Sequence, residues 1–260
     1  MADYPVPALA GLTSVEPLTN PVVIGDVHLA ATKPKTITAF LRFLKDVAPR
    51  YAELVILGDL FDYWLGDDAM PDADPIVAHL KFYASNGRRV LIMPGEKDFL
   101  MGQLFADACG AELLASPVAI SVRGTRMLFA HGDEWCVRNR PYQAYRAVTR
   151  SPDWQADLLS RPVAERIALL REAEERARTE NEAPRTPMEY GVIESTVAEA
   201  AREAGVELVM HGHTHHPGAH VNAVIERWCI PYWEFDQAGS GTRSGYVNFN
   251  AVGRPQIQLM

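Results

Sequence analysis

The stretch ELVILGDLFD, Glu53–Asp62, sets four apolar residues in a row and then stops them with a glycine and a carboxylate. A run this short, rich in β-branched side chains and ended by turn chemistry, predicts a buried strand that delivers Asp59 at its carboxyl end. Four more segments share the plan: PVVIGDVHL (Pro21–Leu29), RRVLIMPGEKDF (Arg88–Phe99), TRMLFAHGDE (Thr125–Glu134) and VELVMHGHTHHP (Val206–Pro217). Helical patterns separate the first three. In Lys35–Ala48, Ile37, Phe40, Leu41, Leu44 and Val47 recur at helical spacing. Asp74–Asn86 begins with an Asp-Pro pair suited to N-cap and N1, and Gly87 is placed to stop it. Strands alternating with helices predict an α/β fold with a largely parallel sheet covered on both faces. Ligand sites in such sheets lie beyond the carboxyl ends of the strands, where this chain keeps its Asp, His and Gly residues.

The distances between those residues are regular. Asp26 to Asp59 is 33 residues, Asp59 to Glu96 is 37 and Glu96 to His131 is 35, each the length of one strand–helix–strand step. From His131 to His213 is 82, so that interval holds something more. The extra piece is Cys136–Thr186, with ten arginines, no lysine and eight acids. Within it Pro162–Arg178 has helical periodicity, and Val163, Ile167 and Leu170 are candidates to face inward. The segment reads as a helical cap inserted over the strand ends at about 136–186; a solvated helical pair without a role is the alternative. Pro187–Ala204 reads as a helix with Gly205 as its C′ residue. Short alternating runs in Val221–Met260, such as GYVNFN and PQIQL, predict antiparallel strands in a second sheet packed on the first. Residues 1–20 are expected to form a flexible tail and residues 21–260 one domain.

Composition narrows the functional classes. Of the 260 residues 48% are hydrophobic and 22% charged, enough apolar material for a sizeable core. A net charge of −8 and a pI near 5.5 argue against general nucleic-acid binding, which needs a basic surface. No stretch approaches the ~20 apolar residues of a bilayer span, and the first residues lack the basic start of a signal peptide. Cys109, Cys136 and Cys229 have no metal-type spacing, and a cytoplasmic location is expected.

Asp26, His28, Asp59, Glu96, His131, His213 and His215 are poor core material, because burying them unpaired is costly. They are good ligands for divalent ions of the manganese, iron or zinc kind. Seven such groups suit two metals with one bridging carboxylate, an arrangement that activates water against phosphorus. Each motif alone is weak, and a hydrogen-bonded core histidine is the bland alternative for His28 or His131. His79, His211, His216 and His220 are surplus to a two-metal site. Phe61, Tyr63 and Trp64 read as packing near the site rather than as a stacking platform, and Asp67 and Asp68 as a solvated loop or as support behind the ligands. Asp133 is a candidate to orient a ligand imidazole.

The ordered set D-x-H, G-D, G-E-K-D, H-G-D and G-H-T-H resembles the calcineurin-like metallophosphoesterase superfamily. The wider matches GDLFDYWLGDD (Gly58–Asp68), Asp98-Phe99-Leu100, HGDEWC with Tyr142-Gln143, HGHTHHP and WEFD (Trp233–Asp236) resemble its UDP-2,3-diacylglucosamine hydrolase family. The resemblance implies a metallophosphoesterase β-sandwich of two sheets flanked by helices. It implies two manganese ions, one on Asp26, His28, Asp59 and His215, the other on Asp59, Glu96, His131 and His213. The implied reaction is attack of water on the α-phosphorus of UDP-2,3-diacylglucosamine, releasing UMP and 2,3-diacylglucosamine 1-phosphate in lipid A biosynthesis. Lys97 and His213 take catalytic roles by position, and Lys97, Asn139, Tyr142 and Arg185 are implied substrate contacts. The cap is implied to meet the UDP-linked glycolipid and the inner-membrane surface, on its cytoplasmic face. Three positions depart from the family pattern: Glu96 stands for asparagine, Lys97 for arginine and Asn139 for aspartate. They leave open a related enzyme for another nucleotide diphosphate derivative or phosphodiester, or a non-catalytic binding paralogue.

Overall fold

The computed structural model describes residues 11–70, 74–179, 191–237 and 243–260. Strands β1 (Pro21–Ile24), β2 (Glu53–Leu57), β3 (Arg89–Met93) and β4 (Ala111–Leu113) run parallel in one sheet. A second sheet contains β5 (Val118–Val122), β6 (Thr125–Ala130), β7 (Leu208–His211), β8 (Gly218–Val221) and β9 (Glu226–Cys229), in the order β5-β6-β7-β9-β8. The last two strands, β10 (Gly245–Phe249) and β11 (Pro255–Leu259), pair antiparallel with each other and extend the first sheet beside β1.

This corrects two expectations. The five strands that end in polar residues do not share one sheet: the ends bearing His131 and His213 belong to the second. The C-terminal runs do not build that second sheet by themselves, because β10 and β11 join the first one. Period-two alternation shows why. Val22, Ile24, Leu54, Ile56, Val90 and Ile92 point to the helical face, while Val23, Val55, Leu57, Leu91 and Met93 pack against Ile120, Phe129, Leu208 and Met210 of the second sheet. Both faces of β1–β3 are dry, so their sequences are uniformly apolar and hide which layer each face meets.

Helices α1 (Pro34–Asp46), α2 (Pro75–Ser85) and α3 (Gln103–Cys109) cover the outer face of the first sheet through Phe40, Phe43, Leu80 and Phe105. The expected Asp74 cap is present, its carboxylate accepting from the Ile76 and Val77 N–H groups. Between β6 and β7 come α4 (Arg140–Thr149), α5 (Pro152–Leu159), α6 (Val163–Thr179) and α7 (Glu194–Ala204). Of the candidate inward residues on α6, Leu170 is buried and Val163 and Ile167 are half-buried. Helix α7 lays Val197 and Ala201 on Leu128, Ala130 and Val209 of the second sheet, and Gly205 ends it at φ 67°.

Residues 11–20 are not loose. The Leu12 N–H donates to Leu113 O, the Leu18 N–H donates to Ser121 O, and Leu18 is buried between the sheets. Two isolated leucines gave no periodic signal, so the pairing was not legible in sequence.

Candidate metal centre

Asp26, His28, Asp59, His213 and His215 all adopt left-handed backbone conformations, with φ of 49°, 52°, 51°, 63° and 54°. Such a conformation costs an L-residue roughly 1–2 kcal/mol, so something must hold it. Backbone bonds tie the loops after β1 and β2 together: Asp26 N–H donates to Gly58 O, and Val27 and His28 N–H both donate to Asp59 O. The buried Asp98 carboxylate accepts from the N–H groups of Asp59, Leu60, Phe61 and Gly95. The Asp26 carboxylate accepts from His213 N–H at 3.0 and 2.9 Å, joining the two sheets at their ends. The motif glycines have a steric reason. A Cβ on Gly95 would lie 2.2 Å from Asp59 Oδ1, and one on Gly58 would lie 2.2 Å from His131 Nδ1.

Five of the seven candidate ligands, Asp26, His28, Asp59, His131 and His215, converge, and Glu96 and His213 pair with each other beside them. Asp59 Oδ2 lies 3.8 Å from His28 Nε2 and 3.7 Å from His131 Nε2. His28 and His215 face each other through Nε2 atoms 3.3 Å apart, and His215 Nε2 is 3.8 Å from Asp26 Oδ1. His213 Nδ1 is 3.7 Å from Glu96 Oε2. Two overlapping triads, Asp26–His28–His215 and Asp26–Asp59–His131, each bring three ligand atoms within 4.8 Å of one another.

Donor chemistry fits cations. His131 is fully buried, its Nδ1–H donates to Leu57 O at 3.0 Å, and among the described residues its Nε2 has no hydrogen-bond partner. A buried lone pair aimed among carboxylates is costly unless an ion or proton sits there. Without metal the cluster takes up protons. Burial disfavours the charged His131 imidazolium, yet Asp59, Asp133 and Asp26 outweigh it and push its pKa up to about 10. Burial pushes Asp59 up to about 6 against the pull of His131 and His28. His28 is also raised, because Asp62 and Asp59 overcome its burial, whereas burial lowers His215. Glu96 resists its burial and stays below the usual range beside His213 and Lys97.

The other sequence candidates separate. Lys97 donates its backbone N–H to Asp59 Oδ1 at 2.8 Å, and its Nζ lies 5.6 Å from the centre of the Tyr63 ring. Tyr142 stacks on His213, ring centroids 6.2 Å apart. Asn139 caps α4, its side chain accepting from Tyr142 N–H. Arg185 lies outside the described residues. Asp133 does not orient His131; Asp62 takes the corresponding place for His28, with Oδ1 3.3 Å from Nδ1. His211 is structural: its Nδ1–H donates to Gly212 O and its Nε2 accepts from Arg227. Of the two readings of Asp67 and Asp68, the solvated loop does not hold, since Asp67 accepts from Trp64, Gly102 and Phe105, and Asp68 pairs with Arg166. Tyr232, missed in the sequence, stacks on His215 at 4.5 Å and 6°, and Arg243 donates to its hydroxyl. A lone tyrosine before Trp233 gave no signal for that contact.

Two sheets with carboxylates and imidazoles gathered at one edge define a metallophosphoesterase, and the family model of the calcineurin-like phosphoesterases matches residues 20–217. A protein of Bordetella pertussis named UDP-2,3-diacylglucosamine hydrolase is 40% identical over 243 residues, covering 90% of this chain and 93% of its own. A Chromobacterium violaceum protein of the same name is 39% identical over 240 residues, covering 91% and 97%. Among solved structures, an archaeal phosphodiesterase aligns at TM-score 0.46 with 10% identity, over 93% of this chain and 99% of that one. The chain belongs to the UDP-2,3-diacylglucosamine hydrolase family of calcineurin-like phosphoesterases, and it is a hydrolase.

Proposed function

We propose that the chain hydrolyses the pyrophosphate bond of UDP-2,3-diacylglucosamine to UMP and 2,3-diacylglucosamine 1-phosphate, a step of lipid A biosynthesis. The observation that carries the reading is the placement of Asp59 Oδ2 between His28 and His131, within 3.8 Å of each, in a chain 40% identical to a named hydrolase of that substrate. Two divalent ions, manganese by preference, would be held by Asp26, His28, Asp59 and His215 and by Asp59, Glu96, His131 and His213. When bound they supply Lewis-acid polarisation of phosphoryl oxygens and acidify water.

The protein's own groups do the rest. Lys97 brings a cation toward the phosphate as negative charge builds on phosphorus. His213 faces the reacting phosphoryl, and Asp98 keeps the loops after β2 and β3 in register by gathering four N–H groups. Helices α4–α6 would take the acyl chains, with Tyr142, Asn139 and Arg185 as substrate contacts. Exposed Val148 and Leu169 among the arginines support contact with an anionic membrane surface, on the cytoplasmic face of the inner membrane. No described helix is long and apolar enough to cross a membrane.

The test is turnover by purified protein with manganese, comparing UDP-2,3-diacylglucosamine with other nucleotide diphosphate sugars and with bis(p-nitrophenyl) phosphate. The lipid substrate should be cleaved far faster, with 18O from labelled water appearing in UMP. Equal or better turnover of another member of the panel would overturn the substrate. A second reading, a related enzyme for another nucleotide diphosphate derivative, is favoured by Glu96, a carboxylate 3.7 Å from His213 where the family pattern has a neutral amide.

A further inference from the structure

Asp133 lies two residues beyond His131 and is 3% exposed. Its Oδ2 accepts from the Tyr142 hydroxyl at 2.5 Å and from Arg146 Nε at 2.8 Å, both on α4, and lies 3.9 Å from Arg150 at the helix end. Two of these partners reach onward to the metal centre. Tyr142 stacks on the His213 ring with planes at 25°. Arg150 donates to Gly95 O at 3.1 Å, and its guanidinium packs 4.0 Å from the centre of the Phe99 ring. Among the described residues no hydrogen bond fixes the His213 ring nitrogens. Its Nδ1 faces Glu96 Oε2 at 3.7 Å, beyond hydrogen-bond reach, and the ring is held by Tyr142 on one side and by an edge contact with His131, centroids 5.2 Å apart, on the other.

We propose that Asp133 is a positioning residue that holds Tyr142 and Arg150 and thereby sets the orientation of His213 and of the Gly95–Glu96 turn. Helix α4 is then a wall of the metal centre rather than part of a detachable cap. A ligand histidine without its own hydrogen bond needs a rigid neighbour to keep its nitrogen on the ion, and outer partners of this kind are worth ~10–100-fold in metal affinity or activity. A carboxylate suits the task because one buried oxygen can accept short bonds from a phenol and a guanidinium while its charge holds a second guanidinium 3.9 Å away. The inference rests on the reading of the cluster as a metal centre and is independent of the lipid substrate.

The experiment is manganese titration by calorimetry, with metal content counted after gel filtration, on wild type, Asp133→Asn, Tyr142→Phe and the double variant. Asp133→Asn should weaken manganese binding at least about tenfold. Tyr142→Phe should add little in that background, because both act through one chain of contacts. Unaltered affinity in Asp133→Asn, or full additivity of the two, would overturn the proposal even if thermal stability fell. If Asp133→Asn does not fold, Arg150→Gln decides by the same measure: a several-fold loss of affinity supports the linkage, and wild-type affinity refutes it. Wild-type protein that binds no divalent ion would overturn the metal-centre reading, and this proposal with it.

Discussion

Glu96 shows how much chemistry one side chain can move. It stands where the family pattern has a neutral amide, beside His213 and Lys97, and keeps its carboxyl ionised against burial. An added negative charge at this point lowers the attraction of the centre for a phosphate anion. At about 4 Å and an effective dielectric near 20, one charge is worth ~4 kcal/mol before compensation. A third of that surviving is about tenfold in rate. Glu96→Asn should therefore raise turnover of UDP-2,3-diacylglucosamine about tenfold while loosening metal retention, both read from steady-state kinetics and metal content after dialysis. Unchanged or lower activity would show glutamate to be a competent group here and point to another substrate. The neighbouring glycine has no such freedom. A Cβ on Gly95 would meet Asp59 Oδ1 at 2.2 Å and Asp59 N at 2.5 Å, and the backbone atom cannot rotate away.

Helix ends and the long insert show where sequence could be read and where it could not. The Asp74 cap of α2 was legible because donor and acceptor are two residues apart. The start of α1 was not: Lys33 offers no cap, and Asp236, 200 residues away, accepts from the Lys35 and Thr36 N–H groups and the Thr36 hydroxyl. The gathering of the candidate ligands at one edge was legible because all seven follow the ends of five short apolar strands. Asp98, Asp133 and Arg150 were not assigned these partners, because their roles exist only once separate loops have met. The same applies to α6, whose periodicity identified Leu170 but not the buried Arg166 one turn before it. That guanidinium donates to both Asp68 oxygens at 2.6 Å and to the carbonyls of Leu65, Arg161 and Leu159. Arg166→Met should cost about 3 kcal/mol, because Asp68 and three carbonyls lose their partner in a largely dry site. Urea unfolding of the two proteins checks this; a loss below about 1 kcal/mol would mean that water replaces the arginine.

At the scale of the whole molecule, the centre straddles the seam between two sheets. Asp26, His28, Asp59 and Glu96 come from the first sheet, His131, His213 and His215 from the second, and His213 N–H on Asp26 is a direct polar link between them. Bound cations would therefore fasten the layers together, stabilising the entire fold and not merely the loops. Ligand at a hundred times its Kd adds about 2.7 kcal/mol to folding. In a chain of this size that is a rise in Tm of roughly 5–10 °C. The sign of its pH dependence follows from the metal-free centre. His131, raised to about 10, must give up its proton to bind an ion at neutral pH, and Asp59, raised to about 6, must also give one up in more acid solution. Groups whose pKa is raised without metal hold their protons more often as pH falls, so the manganese-dependent gain should be largest at alkaline pH, fall as pH drops below about 10 through His131, and fall more steeply below about 6 as Asp59 also takes up a proton. Thermal melts with manganese and with chelator at a series of pH values measure it directly. A gain that is absent at saturating metal, or constant from pH 8 to pH 5, would mean that the cations neither bridge the sheets nor displace these protons.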